Sequence, residues 1–199
     1  MKASETALIL IGFQNDYFRE DGILTAVIEE SAKTNDVLNN TLALVGEVAK
    51  TDALIIDTPI IFSEDYREMG NPVGLLKAIK ELGAFRDGSP GCETLPVIDA
   101  FGDRITTIPG KDGFNAFSNT ELADTLKAHG IRNFVLAGAV TSICIDSTGR
   151  SAHERGFSVT VLDDCTCGRT NFEQDFYCEQ ILPLYADVCS SQDLLGKLD

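Results

Sequence analysis

Apolar residues run unbroken over Ala7-Leu8-Ile9-Leu10-Ile11 and then give way to a glycine and a polar turn, Gly12-Phe13-Gln14-Asn15-Asp16. A short continuous apolar run of this kind reads as a strand buried on both faces. Farther along, Val37, Leu38, Leu42, Leu44, Val45 and Val48 recur at helical spacing and predict one long amphipathic helix over 29–50. A second apolar run over 53–62 predicts a strand, with Pro59 inside it marking an irregularity or a gap in the ladder. Short strands follow at 104–108, 134–137, 158–162 and 186–189. Helices at 120–129, 142–155 and 172–182 separate them, the first two ended by Gly130 and Gly156. The stretch 63–100, dense in Gly and Pro, predicts a short helix at 73–82 and otherwise loop, either a lid or binding loop or an ordinary surface excursion. Strand and helix alternate throughout. That order predicts an α/β fold: one three-layer α/β/α, Rossmann-like domain over 1–199, with a mostly parallel sheet of about six strands.

Charge narrows the function. With 16 Lys plus Arg against 31 Asp plus Glu, the formal net charge is −15. A field of that sign repels phosphate backbones and anionic lipid surfaces, so no nucleic acid and no membrane is expected as partner. No run approaches the ~18 apolar residues of a membrane span, and the polar opening Met1–Thr6 with a five-residue apolar run is no signal peptide. A cytoplasmic protein acting on a small molecule is the expectation.

The six cysteines, Cys92, Cys144, Cys165, Cys167, Cys178 and Cys189, read as thiols in such a compartment. Cys165-Thr166-Cys167 lacks the usual two-residue gap and has no second pair, and His129 and His153 each sit in a helix C-terminal turn. No metal and no cofactor is expected.

One thiol has a special place. The run Ala137-Gly138-Ala139-Val140-Thr141-Ser142-Ile143-Cys144 reads as a buried strand leaving through glycine into a helix capped by Thr141 or Ser142, with Cys144 in its first turn. Backbone N–H groups and the helix dipole there favour thiolate, and the same N–H groups suit an oxyanion. A small buried apolar Cys is the ordinary alternative.

Gly-x-x-Thr-x-x-Cys over Gly138–Cys144 is similar to the nucleophile segment of the isochorismatase-like cysteine hydrolases. Thr148, Ala152, Gly156 and the run 159–163 extend the likeness. The entry Ala7-Leu8-Ile9-Leu10-Ile11-Gly12-Phe13-Gln14-Asn15-Asp16 and the segment Lys111-Asp112-Gly113-Phe114-Asn115-Ala116-Phe117 resemble two further family motifs, and the likeness spans nearly the whole chain. It implies Cys144 as nucleophile and Lys111 as its electrostatic partner. It also implies the N–H groups of Ile143 and Cys144 as oxyanion donors, and a cis, non-prolyl bond at Ala139–Val140. A homodimer or higher homo-oligomer is implied too. The metal pattern of the nicotinamidase branch is missing, since Phe62-Ser63-Glu64-Asp65 carries no His.

One position departs from the family. Where the resemblance expects a catalytic Asp, Gly12 stands. Three readings stay open. Asp16, Asp112 or Glu64 substitutes for the lost carboxylate. Or the Cys–Lys pair retains weak hydrolysis of a small amide or related C–N bond. Or the domain binds a metabolite or protein partner without catalysis.

Overall fold

The computed structural model describes residues 1–109 and 112–199. Strand β1, Thr6–Ile11, is buried at every residue and occupies the middle of the sheet. After it come a single helical turn α1, Asn15–Phe18, and helices α2, Thr25–Thr34, and α3, Val37–Val48. The single long helix expected over 29–50 is two. Asp36 between them adopts a left-handed φ of 49°, and Asn40 Nδ2 donates to the Asn35 carbonyl, closing the break.

Strand β2, Leu54–Thr58, stops before Pro59, which has no N–H to extend the ladder. The irregular stretch contains α4, Gly74–Leu82, and the short α5, Pro96–Asp99. Strand β3 is reduced to Thr106–Thr107, and α6 covers Leu122–Ala128. Strand β4, Asn133–Ala139, leads through a wide helical turn, Thr141–Ile145, into α7, Asp146–Glu154. Strand β5 runs over Ser158–Cys167, well past its expected end, because its pairing with β4 shifts between Leu136 and Gly138 and resumes at Thr166 and Cys167. Helix α8, Asn171–Phe176, strand β6, Asp187–Cys189, and helix α9, Ser191–Leu195, complete the order.

Among the described residues the strands number six, all parallel, in the order β3-β2-β1-β4-β5-β6. Helices flank the sheet, so β1 and β4 are apolar on both faces. The order reverses between β1 and β4, and the crevice beyond the carboxyl ends of such strands is where α/β sheets hold ligands. Gly12 leaves β1 there, and the turn bearing Cys144 leaves β4. The two strands approach so closely that a Cβ on Gly138 would lie 1.9 Å from the Ile11 carbonyl oxygen. With φ at 125° as well, position 138 accepts glycine alone.

Candidate active site

The turn after β1 is held by its own polar side chains. Gln14 Nε2 donates to the carbonyls of Ile60 (2.8 Å) and Cys92 (2.6 Å), and its Oε1 accepts from the Ile60 N–H at 2.8 Å. Asn15 Nδ2 donates to the Pro90 carbonyl at 2.7 Å. Asp16 Oδ2 accepts from the Phe85 N–H at 2.7 Å, and its carboxylate lies so close to Gly91 that a Cβ there would meet Oδ1 at 2.1 Å. The three residues thus fasten parts of the 60–93 region to the end of β1. Buried amides and carboxylates with backbone partners fix loops that would otherwise lack regular structure.

Gly12 itself has a φ of 75°. A Cβ there would stand 3.0 Å from the Ala139 carbonyl oxygen and 3.4 Å from Cδ2 of Tyr17. The place beside Gly12 is therefore occupied by the Tyr17 ring and the turn after β4.

That turn carries Cys144, which is 1% exposed. The Ala139–Val140 peptide is cis. The Val140 carbonyl accepts from the N–H groups of Ile143 (3.0 Å) and Ile145 (3.2 Å), so an oxyanion would share the Ile143 proton with it. Thr141 and Ser142 do not cap the helix, as the sequence led one to expect. Their hydroxyls point across to α8: Thr141 Oγ1 donates to Gln174 Oε1 at 2.6 Å, and Ser142 Oγ donates to Glu173 Oε1. Glu173 also binds Arg169 through Nε at 2.6 Å. Burial opposes its charge, but the Arg169 and Ser142 hydrogen bonds prevail and hold the carboxyl below its usual range. Gln174 Nε2 continues to the Asp163 carbonyl and to Thr166 Oγ1 at 3.1 Å. Helix α8 is thereby the clamp on the cysteine turn. The sequence carries one trace of it, the box Thr170-x-x-Glu173, in which Thr170 Oγ1 accepts from the Glu173 N–H. That signal locates a helix start but not the partner its Glu finds 31 residues away.

The remaining candidates are dispersed. Asp112 is half-buried and accepts from Asn119 Nδ2 at 3.3 Å. Glu64 is exposed, beside a turn in which Ser63 Oγ donates to Asp65 and Glu68. Lys111 lies outside the described residues. Among the described residues, no group of three or more His, Cys, Asp and Glu could hold a metal ion, and no helix is long and apolar enough to cross a membrane.

Two residues at or near the sheet ends were not singled out from sequence. Tyr17, 1% exposed, buries a hydroxyl with no hydrogen-bond partner among the described residues. Asp57, at the end of β2, accepts from Thr94 Oγ1 at 2.6 Å through Oδ2, while Oδ1 is unpartnered among the described residues. Burial pushes the Asp57 carboxyl up to about 6, against the opposing pull of the Thr94 hydrogen bond.

The isochorismatase domain model matches residues 6–193. A ureidoacrylate amidohydrolase of Stutzerimonas stutzeri is 29% identical over 181 residues, covering 83% of this chain and 71% of that protein. Among solved structures, a cysteine hydrolase from Pseudomonas syringae superposes with a TM-score of 0.85 at 18% identity, covering 99% of this chain and 93% of the other. The N-carbamoylsarcosine amidase of Thermoplasma acidophilum gives 0.73 at 19% identity, with coverage of 94% and 96%.

Proposed function

The chain belongs to the isochorismatase family, and from that premise we propose that it is a cysteine-dependent hydrolase of a small amide or related C–N bond, an open-chain ureido compound being the first substrate class to try. The observation that carries this reading is the seat of Cys144: a buried thiol at the switch point of the sheet, on a turn clamped from α8. The kind of substrate is suggested by the ureidoacrylate amidohydrolase relative.

In this reading the Cys144 thiolate attacks the carbonyl carbon. The tetrahedral oxyanion is received by the N–H of Cys144 together with that of Ile143. The C–N bond breaks as the nitrogen takes a proton from solvent, and water then attacks the thioester carbonyl, breaking the C–S bond to release the acid and restore the Cys144 thiolate. Lys111 supplies positive charge that favours thiolate. The other five thiols are shifted toward their protonated forms. Burial pushes Cys165 and Cys178 up to about 12, raises Cys167 still more, and raises Cys92 and Cys189 as well.

A homo-oligomer belongs to the same proposal, and the exposed Phe172 and Phe176, stacked at 6.2 Å, offer apolar surface for it. Sedimentation velocity tests that part.

Gly12 favours a second reading, a binding protein without turnover, because position 12 offers no proton carrier. One experiment separates the two. Purified protein is incubated with a panel of ureido compounds, N-carbamoyl compounds and simple amides, and ammonia release is followed. Turnover that vanishes in Cys144→Ser supports the hydrolase. No turnover across the panel, with Cys144 still the first thiol alkylated by limiting iodoacetamide, supports the binder.

A further inference from the structure

The loop over 112–120 is closed by its own side chains. Asn119 Nδ2 donates to Asp112 Oδ2 at 3.3 Å, Asn115 Oδ1 accepts from the Phe117 N–H at 2.9 Å, and Thr120 Oγ1 donates to the Ala116 carbonyl at 2.5 Å. On the other side of Lys111, the Ile108 N–H donates to the Asp57 carbonyl of β2 at 2.9 Å. Phe117 packs the loop on the sheet: it stacks on Phe134 of β4 with ring centroids 5.4 Å apart, and the Arg155 guanidinium lies 4.6 Å over its ring. The polar tie comes from α7. Thr148 Oγ1 accepts from the Ala116 N–H at 3.0 Å and donates to the Phe114 carbonyl at 3.5 Å. Thr148 and Ala116 are fully buried, so no water replaces these bonds if the hydroxyl is lost. Thr148 stands four residues beyond Cys144, on the helix into which the Cys144 turn opens. One helix therefore carries the thiol's turn at its start and, four residues on, the anchor of the loop that follows Lys111.

We propose that Thr148 is a positioning residue: its hydroxyl holds the loop following Lys111 against the helix of Cys144, and so sets how strongly that cation favours the thiolate. The role rests on Cys144 being the nucleophile and Lys111 its electrostatic partner. Thr148 acts through Lys111 and takes no part in making or breaking bonds. Coulomb attraction falls with distance, so a cation that retreats by roughly 1–2 Å gives up part of its hold on the thiolate. A hydroxyl suits the task because it accepts from an N–H and donates to a carbonyl at once. It thereby ties two residues of one loop, Phe114 and Ala116, to one point on α7. Valine has the same shape and neither capacity, while serine retains both.

The readout is the rate of Cys144 alkylation by iodoacetamide against pH, followed by peptide mapping, which needs no substrate. It is taken for wild type, Thr148→Val, Thr148→Ser, Lys111→Ala and the double variant Lys111→Ala with Thr148→Val. Thr148→Val is expected to alkylate about 2- to 5-fold more slowly near neutral pH, with the profile displaced upward by roughly 0.5–1 unit. Thr148→Ser is expected to follow wild type. In the Lys111→Ala background, Thr148→Val is expected to displace the profile no further. A hydroxyl serving the fold alone would lower the melting temperature and leave the profile in place, and that result would overturn the proposal. So would an equal displacement in Thr148→Ser, or a Thr148→Val displacement that persists without Lys111. Hydrogen exchange in the wild type covers a Thr148→Val chain that does not fold. The Ala116 N–H should be protected as well as the amides of α7, and exchange at the rate of a solvent-exposed amide would overturn the anchor. If Lys111→Ala itself leaves the profile unmoved, the electrostatic reading of Lys111 falls and the role of Thr148 with it. If Lys111→Ala displaces the profile and Thr148→Val does not, Thr148 alone is rejected. Amide turnover is scored separately: the expected profiles without turnover retain Thr148 and reject the hydrolase.

Discussion

Gly12 and Ala139 face each other across the reversal point of the sheet, and a Cβ on Gly12 would stand 3.0 Å from the Ala139 carbonyl oxygen. Combined with a φ of 75°, this makes position 12 a backbone position before it is a catalytic one. Restoring a carboxylate there is therefore expected to harm the fold. Gly12→Asp should lose ~1–3 kcal/mol of stability, and Gly12→Ala should lose a similar amount, since both carry the same Cβ. Hydrolysis in Gly12→Asp should not rise by the roughly 10²–10⁴-fold that a well-placed acid–base group supplies. Paired melting curves and ammonia-release rates check this. A stable Gly12→Asp with strongly raised turnover would refute it.

Asp16 was one candidate to replace a missing carboxylate, but its Oδ2 is occupied by the Phe85 N–H. Asp16→Ala should therefore cost about 1–3 kcal/mol through the orphaned N–H. The pH profile of Cys144 alkylation should stay in place. A displaced profile at unchanged stability would return Asp16 to the chemistry.

Glu173 takes Ser142 on one oxygen and Arg169 on the other. Glu173→Gln retains one acceptor oxygen where two are in use. The expected loss is about 1–2 kcal/mol, with slower turnover because the cysteine turn is less firmly held. Chemical denaturation and kcat are the measurements. A variant matching wild type in both would mean that the clamp is dispensable.

Asp57 gives a pH test of known sign. Its folded value of about 6 lies above the ordinary carboxyl value, so the folded state binds the proton more tightly. Stability from this group is fully present below about pH 4 and is lost as pH rises through 6, reaching ~3 kcal/mol by neutrality. Asp57→Asn abolishes that loss. The stability difference, variant minus wild type, should thus grow between pH 4 and 7 and then level off. Parallel curves from denaturation at several pH values would sink the assignment.

The sequence determined the layered plan and the position of the turn bearing Cys144. Unbroken apolar runs at 7–11 and 134–137 are satisfied inside a covered parallel sheet, and Gly138 marked where the second of them leaves the strand toward Cys144. Those signals are local, and local patterning survives in a bare sequence. The break at Asn35–Asp36 was not legible, because no Gly or Pro marks it, while the backbone turns left-handed at Asp36 and Asn40 closes on Asn35. The extension of β5 to Cys167 depends on a register shift against β4, which no single strand records. The site divides in the same way. Cys144 and Gly12 could be read from motif and spacing, whereas Ser142 meeting Glu173 and the Tyr17 ring beside Gly12 are contacts between elements set by packing. Only the tertiary structure decided that Asp16 serves the loop and that the orphan hydroxyl belongs to Tyr17, because a side chain's partner is chosen by what the fold brings within hydrogen-bond reach.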